Sequence, residues 1–328
     1  MPREPGWWYR PPGLTARALG PLAHIYGVIA ARRLKHGTPY RSPLPVVCVG
    51  NFTAGGSGKT PFGVMLAQNL IARGERPAFL TRGFGGRERG PHWVDVARDS
   101  ADAVGDEPLL LARVAPVMVS RDRPNGARAI EARGDATVIV MDDGLQNPAL
   151  AKDLSLAVID AARGFGNGRV IPSGPLRLPL GDQATLVHAV VFNGEARPDF
   201  AAELAQLVPV PQLRALLEGD RLEAGRYVAY AGIGHPARFF ATARSLGATL
   251  VETVSFPDHA RYTGADADRL LGLAQMHNAR LITTEKDHVR LTGSVRLDAL
   301  AAASAVLPVR MVLDPPSIAA LSAMLERM

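Results

Sequence analysis

The run Asn51-Phe52-Thr53-Ala54-Gly55-Gly56-Ser57-Gly58-Lys59-Thr60-Pro61 places three glycines, a lysine and a hydroxyl residue within reach of one anion. Glycine-rich backbone closes its N–H groups around phosphate oxygens, and a helix beginning at the lysine adds its positive end. On this reading Thr53, Ala54, Gly55, Gly56, Ser57, Gly58, Lys59 and Thr60 bind ATP. Lys59 reaches the β- and γ-phosphates, and the Thr60 hydroxyl ligates Mg²⁺. Thr53 stands where the usual pattern has its first glycine. The chain uses only four lysines against 33 arginines, so a lysine at this point is a choice. A second chemical element is Asp142-Asp143-Gly144-Leu145-Gln146, directly after the apolar run 136–141. A carboxylate beyond a buried strand holds Mg²⁺ directly or through water. Adjacent side chains point in different directions, so Asp142 and Asp143, both metal candidates, are expected to divide metal and substrate duties.

A phosphate loop of this kind needs a buried strand before it and an amphipathic helix after it. Residues 45–50 are short, apolar and β-branched, as a buried parallel strand requires. Phe62, Met65, Leu66, Leu70 and Ile71 fall on one helical face beyond the loop. Cys48, the only cysteine, lies inside the strand and is expected to be a packing residue; a lone cysteine excludes a disulfide framework and any multi-cysteine metal site. Further strands are expected at 77–81, 137–141 and 156–160. Alternating strand and helix patterns imply an α/β protein, a P-loop NTPase-like doubly wound parallel sheet. A break near Pro209-Val210-Pro211 precedes strands at 227–231, 249–256 and 279–283, with helices at 236–246 and 265–277. These form a second, smaller α/β domain. The expected division is 1–40, a membrane-associating helix; 41–210, the P-loop domain; and 211–328, the smaller domain. That suits 328 residues with 47% hydrophobic and 21% charged side chains.

The net charge of +6 suggests nucleic acid until its location is read. Residues 1–45 carry seven basic side chains against Glu4, and residues 46–328 carry 30 basic and 30 acidic. The excess belongs to the N-terminus, and the remainder has no basic-aromatic recognition pattern, so no nucleic-acid partner is expected. Between Arg17 and Arg32 lie 14 uncharged positions, about 21 Å as a helix and short of the roughly 30 Å hydrocarbon core. Gly20-Pro21 also interrupts the stretch. Trp7, Trp8 and Tyr9 are rings that favour the headgroup level, and basic residues flank them. The segment reads as an interfacial helix on an anionic leaflet; a helix packed on its own domain is the alternative.

More motifs follow in order: Thr81-Arg82-Gly83-Phe84-Gly85-Gly86, Gly105-Asp106-Glu107-Pro108, Phe165-Gly166-Asn167-Gly168, Ile171-Pro172-Ser173-Gly174-Pro175-Leu176-Arg177, Phe256-Pro257-Asp258-His259 and Thr283-Thr284-Glu285-Lys286-Asp287. With the phosphate loop and the Asp-Asp-Gly-Leu-Gln segment, the ordered set closely resembles the tetraacyldisaccharide 4′-kinases, the lipid A 4′-kinases of Gram-negative bacteria. The resemblance spans essentially the whole chain. It implies transfer of the ATP γ-phosphate to the 4′-hydroxyl of a tetraacylated glucosamine disaccharide 1-phosphate, the lipid A precursor. It implies Mg²⁺, a peripheral enzyme on the cytoplasmic face of the inner membrane, and a monomer. It also implies Asp106 as the base that takes the hydroxyl proton, with His259 paired to it across a cleft between the domains. Arg82 and Arg121 become candidate clamps for phosphate or the lipid's anionic head, solvated arginines being the alternative.

Three positions depart from the family pattern. Leu178 stands where an acid usually follows the Gly-Pro-Leu-Arg segment. Asn147 replaces the histidine after Asp-Asp-Gly-Leu-Gln, and Ala260 replaces the second histidine of Asp-His-His. The chief rival reading is a membrane-associated P-loop ATPase switch with no lipid acceptor. A GTPase is disfavoured, since no Asn-Lys-x-Asp motif is present.

Overall fold

The computed structural model describes residues 4–35, 37–307 and 309–328. Residues 1–3 and His36 of the expected N-terminal segment lie outside the described residues. Strands β1 (Val46–Gly50), β2 (Pro77–Thr81), β3 (His92–Trp93), β4 (Val117–Val119), β5 (Val138–Asp142), β6 (Leu154–Asp160), β7 (Ala189–Asn193) and β8 (Gln212–Gly219) build a large sheet. Strands β9 (Gly225–Ala231), β10 (Ala248–Ser255), β11 (Arg280–Thr283) and β12 (Ser304–Val306) build a smaller one, and β13 (Val309–Leu313) returns to the first.

The large sheet runs β13-β8-β7-β6-β1-β5-β2-β4-β3, parallel except at its two edges. Every central strand is buried on both faces, which is why these strands read as continuous apolar runs. Side chains alternate between two cores. Val47 and Val49 join Phe62, Leu66 and Leu70 of the helix Lys59–Ala72, while Val46 and Cys48 join Ala127 and Ile130 of the helix Arg123–Arg133. That is the doubly wound arrangement the pattern implied. Cys48 is fully buried, and burial pushes its thiol up to about 12. Ile71 departs from expectation: it is exposed, because Gly63 and Ala67 complete the buried face instead.

The smaller sheet, β10-β9-β11-β12, is also parallel, with helices Gly264–Met276 and Val295–Ala303 on one face and Pro236–Ser245 on the other. Its extent corrects the expected boundary at 210–211. After the two prolines the chain enters β8, which pairs with β7 and buries Leu213 and Ala215 in the large core. Near the C-terminus β13 pairs antiparallel with β8, and the helix Pro315–Leu325 packs there too. The smaller unit is thus an excursion of the chain over 225–306, and the prolines mark a loop.

At the N-terminus a short turn, Gly6–Tyr9, and a helix, Leu14–Ala18, precede the helix Gly20–Lys35. The break falls at Leu19, one residue before the expected Gly20-Pro21, which instead opens the second helix with proline in a first turn where it lacks nothing. Trp8 does not stand free for a headgroup region. It is buried, its indole N–H donates to the Pro172 carbonyl at 3.2 Å, and Ser173 Oγ donates to Ala16 O at 2.6 Å. The ring packs on the larger unit because that unit offers the indole N–H a partner. Among the described residues no helix is long and apolar enough to cross a membrane.

Candidate active site

Five adjacent parallel strands end in polar residues along one edge. In spatial order β2, β5, β1, β6, β7 they finish at Thr81, Asp142, Gly50-Asn51, Asp160 and Asn193, and all the polar side chains among these are buried. Carboxyl ends of parallel strands are where doubly wound sheets bind ligands. The expected ATP residues, Thr53 to Thr60, lie in the middle of this edge, between β1 and the helix that starts at Lys59. Gly55 and Gly58 have φ of 105° and 97°, values open to glycine and strained for other residues. A side chain at Gly58 would collide with the Asn193 amide, and one at Gly55 with the Glu4 carboxylate. That carboxylate accepts from Tyr9 Oη and Arg163 Nη1, each at 2.8 Å.

The two aspartates do point apart. Asp143, with φ of 49°, turns toward cations: Lys59 Nζ is 3.7 Å away and Arg177 donates at 3.0 Å. Burial alone would raise its pKa, but Arg177 and Lys59 outweigh that and hold it well below the usual carboxylate range. Asp142 has Thr81 Oγ1 at 3.2 Å as its side-chain partner. Burial, with the charges of Glu107 and Asp143 nearby, pushes its carboxyl up to about 7. A buried acid short of positive charge beside a phosphate loop fits a divalent cation. Asp143 is engaged by Lys59 and Arg177, whereas the Asp142 carboxyl turns toward Thr81. Among the described residues, no cluster of three or more His, Cys, Asp or Glu side chains forms a metal site by itself.

Asp106 and His259 come together across the cleft. His259 Nδ1 is 3.0 Å from Asp106 Oδ2, and the imidazole stands edge-on to Phe84. Asp106 opens the helix Asp106–Leu111, where its Oδ1 accepts the Glu107 amide. Arg290 Nε donates to the same Oδ2 at 2.8 Å, Arg290 Nη2 also reaches it, and Nη1 binds the Gly232 carbonyl and Asp287. Burial works against ionising Asp106, but His259, Lys286 and Arg290 together hold its pKa far below the ordinary value. Beside it, Lys286 Nζ donates to Glu107 Oε1 at 3.0 Å and lies 3.5 Å from His259 Nε2. Asp106 and Glu107 belong to the larger unit, and His259, Lys286 and Arg290 to the smaller. The cleft is closed by charge pairs.

Arg82 is exposed just beyond Thr81. Arg121 donates to the Gly86 carbonyl at 3.3 Å, so it braces the Gly83–Gly86 turn. Leu178 is buried in the core, leaving no carboxylate at that position. Asn147 caps its own turn by accepting the Ala149 amide, and Ala260 closes a turn on Pro257.

Arg290 stands outside every motif named above, and Arg177, Glu107 and Lys286 lie in motifs that by themselves assign them no role. The scarcity of lysine that singled out Lys59 applied equally to Lys286 and to Lys152, whose Nζ binds the carbonyls of Leu145 and Asn147 below the Asp142-Asp143 turn. Arg290 carried a fainter signal, one helical turn after Lys286 and Asp287.

Comparison with known proteins agrees with this geometry. The family model LpxK, tetraacyldisaccharide-1-P 4′-kinase, matches residues 15–326. The tetraacyldisaccharide 4′-kinase of Methylobacterium sp. strain 4-46 is 52% identical over 328 residues, covering 97% of this chain and 95% of the relative. That of Parvibaculum lavamentivorans is 46% identical, covering 97% and 96%. The crystal structure of LpxK from Aquifex aeolicus, in complex with ATP, superposes with a TM-score of 0.74 at 24% identity, covering 96% of this chain and 99% of that one, and so shares the fold. With the family model running from the first N-terminal helix into the last C-terminal one, the chain belongs to the tetraacyldisaccharide-1-P 4′-kinase family.

Proposed function

We propose that this cleft transfers the γ-phosphoryl group of ATP to the 4′-hydroxyl of a tetraacylated glucosamine disaccharide 1-phosphate. The observation that carries the reading is that two charged walls meet at Glu107, the neighbour of Asp106, which feels the charge of Lys59 and acts on Asp142. On this reading Lys59, Thr60 and Asp142 make one wall, and the Asp106–His259 pair, backed by Arg290, makes the other. The backbone of residues 53–60 and Lys59 would hold the triphosphate. Thr60 and Asp142 would hold Mg²⁺, which when bound neutralises charge on the β- and γ-phosphates. The 4′-oxygen attacks the γ-phosphorus, the bond to the β–γ bridging oxygen breaks, ADP departs, and the hydroxyl proton passes to the Asp106–His259 pair. Arg82, exposed just beyond the end of β2, suits the acceptor's anionic head; Arg121 acts on the neighbouring loop.

The direct test supplies purified protein with labelled ATP and the disaccharide 1-phosphate. Label should enter the lipid with one ADP formed per lipid phosphorylated. ADP formation independent of acceptor would favour the ATPase switch instead.

One observation favours a second reading of the dyad. The Asp106 side chain is 3% exposed with three donors on Oδ2, whereas His259 is 26% exposed and its Nε2 has only Lys286 Nζ, at 3.5 Å, and Asp258 Oδ1, at 3.9 Å, beside it. On that reading His259 accepts the proton and Asp106 orients the ring.

Attachment to an anionic membrane from the ATP-containing, cytoplasmic side completes the proposal. On the helix Gly20–Lys35, Leu22, Ile25, Tyr26 and Ile29 are all exposed at helical spacing, with Arg32 and Arg33 beyond them. A face of this kind lies in an interface and does not span it.

A further inference from the structure

We infer that Asn193 and Arg238 form a positioning relay through which the smaller unit sets the shape of the phosphate loop. The inference rests on reading residues 53–60 as that loop. Asn193 ends β7 and is 3% exposed. Its Nδ2 donates to the Ser57 carbonyl at 3.0 Å, in space left by the missing side chain of Gly58. Its Oδ1 accepts from Arg238 Nη2 at 3.1 Å. A carbonyl on one side and a guanidinium on the other demand a group that donates one way and accepts the other. The amide does both, and the two partners fix which way round it sits.

Arg238 comes from the first turn of the helix Pro236–Ser245 in the smaller unit. Its Nη1 also lies 3.4 Å from Asp160 Oδ2. Asp160 ends β6, and its Oδ1 is held by the amides of Ala162 and Arg163. Arg238 therefore docks on the ends of two neighbouring strands of the other unit.

The consequence follows from peptide geometry. Ser57 C=O and Gly58 N–H belong to one planar trans peptide, so they point in opposite directions. Tying the carbonyl to Asn193 in the protein aims the Gly58 N–H away from it, into the concavity of the loop. Gly58, at φ of 97°, lacks the steric barrier that would otherwise hold the peptide. Asn193 supplies that restraint, and Arg238 keeps Asn193 oriented only while the smaller unit is docked. ATP affinity thus depends on the position of a unit that carries none of the loop.

The test uses the full-length protein and four variants: Asn193→Ala, Asn193→Asp, Arg238→Ala and the double alanine. ATP affinity is measured by calorimetry, with kcat, ATP KM and melting temperature alongside. Losing the hydrogen bond in Asn193→Ala should weaken ATP binding about tenfold. Asn193→Asp keeps an acceptor for Arg238 but sets an oxygen against the Ser57 carbonyl. It should weaken ATP binding at least as much with an unchanged melting temperature, and raise KM more than it lowers kcat. Arg238→Ala should weaken ATP binding a few-fold alone and not at all in the Asn193→Ala background. Normal ATP affinity in Asn193→Asp would overturn the relay. Effects of the two alanine changes that multiply would also overturn it, showing that Arg238 meets the nucleotide itself. If Asn193 variants do not fold, Arg238→Ala still decides, since that side chain is a third exposed; unchanged ATP affinity there ends the proposal. Lys59→Ala run in parallel separates the failures. Normal phosphoryl transfer by that variant removes the loop reading, whereas loss of transfer with normal Asn193 variants removes only the relay.

Discussion

On the phosphate wall of the cleft, the functional groups other than Asp142 come from eight consecutive residues, 53–60, and largely from their backbone. On the acceptor wall they come from side chains far apart in sequence: His259 and Arg290 lie 153 and 184 positions from Asp106. The first wall takes its phosphate-binding groups from the larger unit, and the smaller unit reaches it through Arg238 on Asn193. The second exists only while the smaller unit is docked, held by Asp106–Arg290, Glu107–Lys286 and Asp102–Arg261. Damage to the phosphate wall should therefore be local, with Arg238 as its link to the position of the smaller unit. Damage to the acceptor wall should spread along the pairs that close the cleft.

The largest effect should come from Lys59→Ala. Removing a preorganised cation from the migrating phosphoryl group should lower kcat about 10³-fold. The fold should survive, because Asp143 keeps Arg177 at 2.9 Å after Lys59 is lost. A melting temperature close to wild type, with ATP turnover nearly abolished, is the expected pair of readings. Substantial unfolding would mean that this wall is not self-sufficient and would weaken the contrast.

A smaller loss, about 10²-fold in kcat, is expected for Asp106→Asn and for His259→Ala, with little change in ATP KM. Asparagine is chosen at Asp106 because alanine would strand the guanidinium of Arg290. Each group orients the other at 3.0 Å, so the double variant should be little worse than the poorer single. Losses that multiply would show two independent groups, and the acceptor wall would lose its description as one unit.

How much of this was legible follows from the same contrast. Strands β1, β2, β5 and β6 and the phosphate loop declare themselves in contiguous stretches, where burial on both faces leaves a continuous apolar run. The smaller unit's three expected strands and two expected helices also lie within two residues of expectation, for the same local reason. What stayed hidden was long-range. Strand β8 alternates buried and exposed residues and follows two prolines, and nothing local says that it pairs with β7 and β13. Asp142 is legible as an acid that ends a buried strand. Asp160 and Asn193 end their strands in the same way and belong to the same edge. The Asp106–His259 contact came from family resemblance; composition and spacing alone do not bring positions 106 and 259 together.

Asp142 gives a test by stability instead of rate. Its carboxyl has an ordinary value of 3.8 and sits at about 7 in the fold, raised by burial and by Glu107 and Asp143. A group whose proton affinity rises on folding favours the fold below its unfolded pKa. It loses that contribution as pH climbs toward the folded value. Melting temperature of the nucleotide-free wild type should therefore fall, relative to Asp142→Asn, as pH goes from about 4 to 7. Asp106 and Asp143 are depressed and act in the opposite sense at lower pH, but they are common to both proteins and cancel in the difference. Mg²⁺ with ATP should shrink the gap by supplying the missing positive charge. A difference that does not change with pH would show that Asp142 is ionised throughout and has no need of a cation.

The smallest effect on chemistry should come from the helix Gly20–Lys35, and it would sharpen the contrast by showing which wall depends on the membrane. Leu22, Ile25, Tyr26 and Ile29 are 55%, 56%, 41% and 47% exposed, a stripe of apolar surface outside the core. Burying two such side chains in an interface is worth roughly 1–2 kcal/mol together. Ile25→Ser with Ile29→Ser should thus lower partition onto anionic vesicles about tenfold. Added salt should weaken binding of both proteins, since the flanking Arg32 and Arg33 act through screened charge. ATP reaches the phosphate wall from water, so ATP KM should not move. The lipid acceptor arrives from the bilayer, so its apparent KM in vesicles should rise, while kcat with detergent-dispersed acceptor stays close to wild type. Unchanged vesicle partition would move the apolar stripe to some other role; a raised ATP KM would show that the helix reaches the phosphate wall after all.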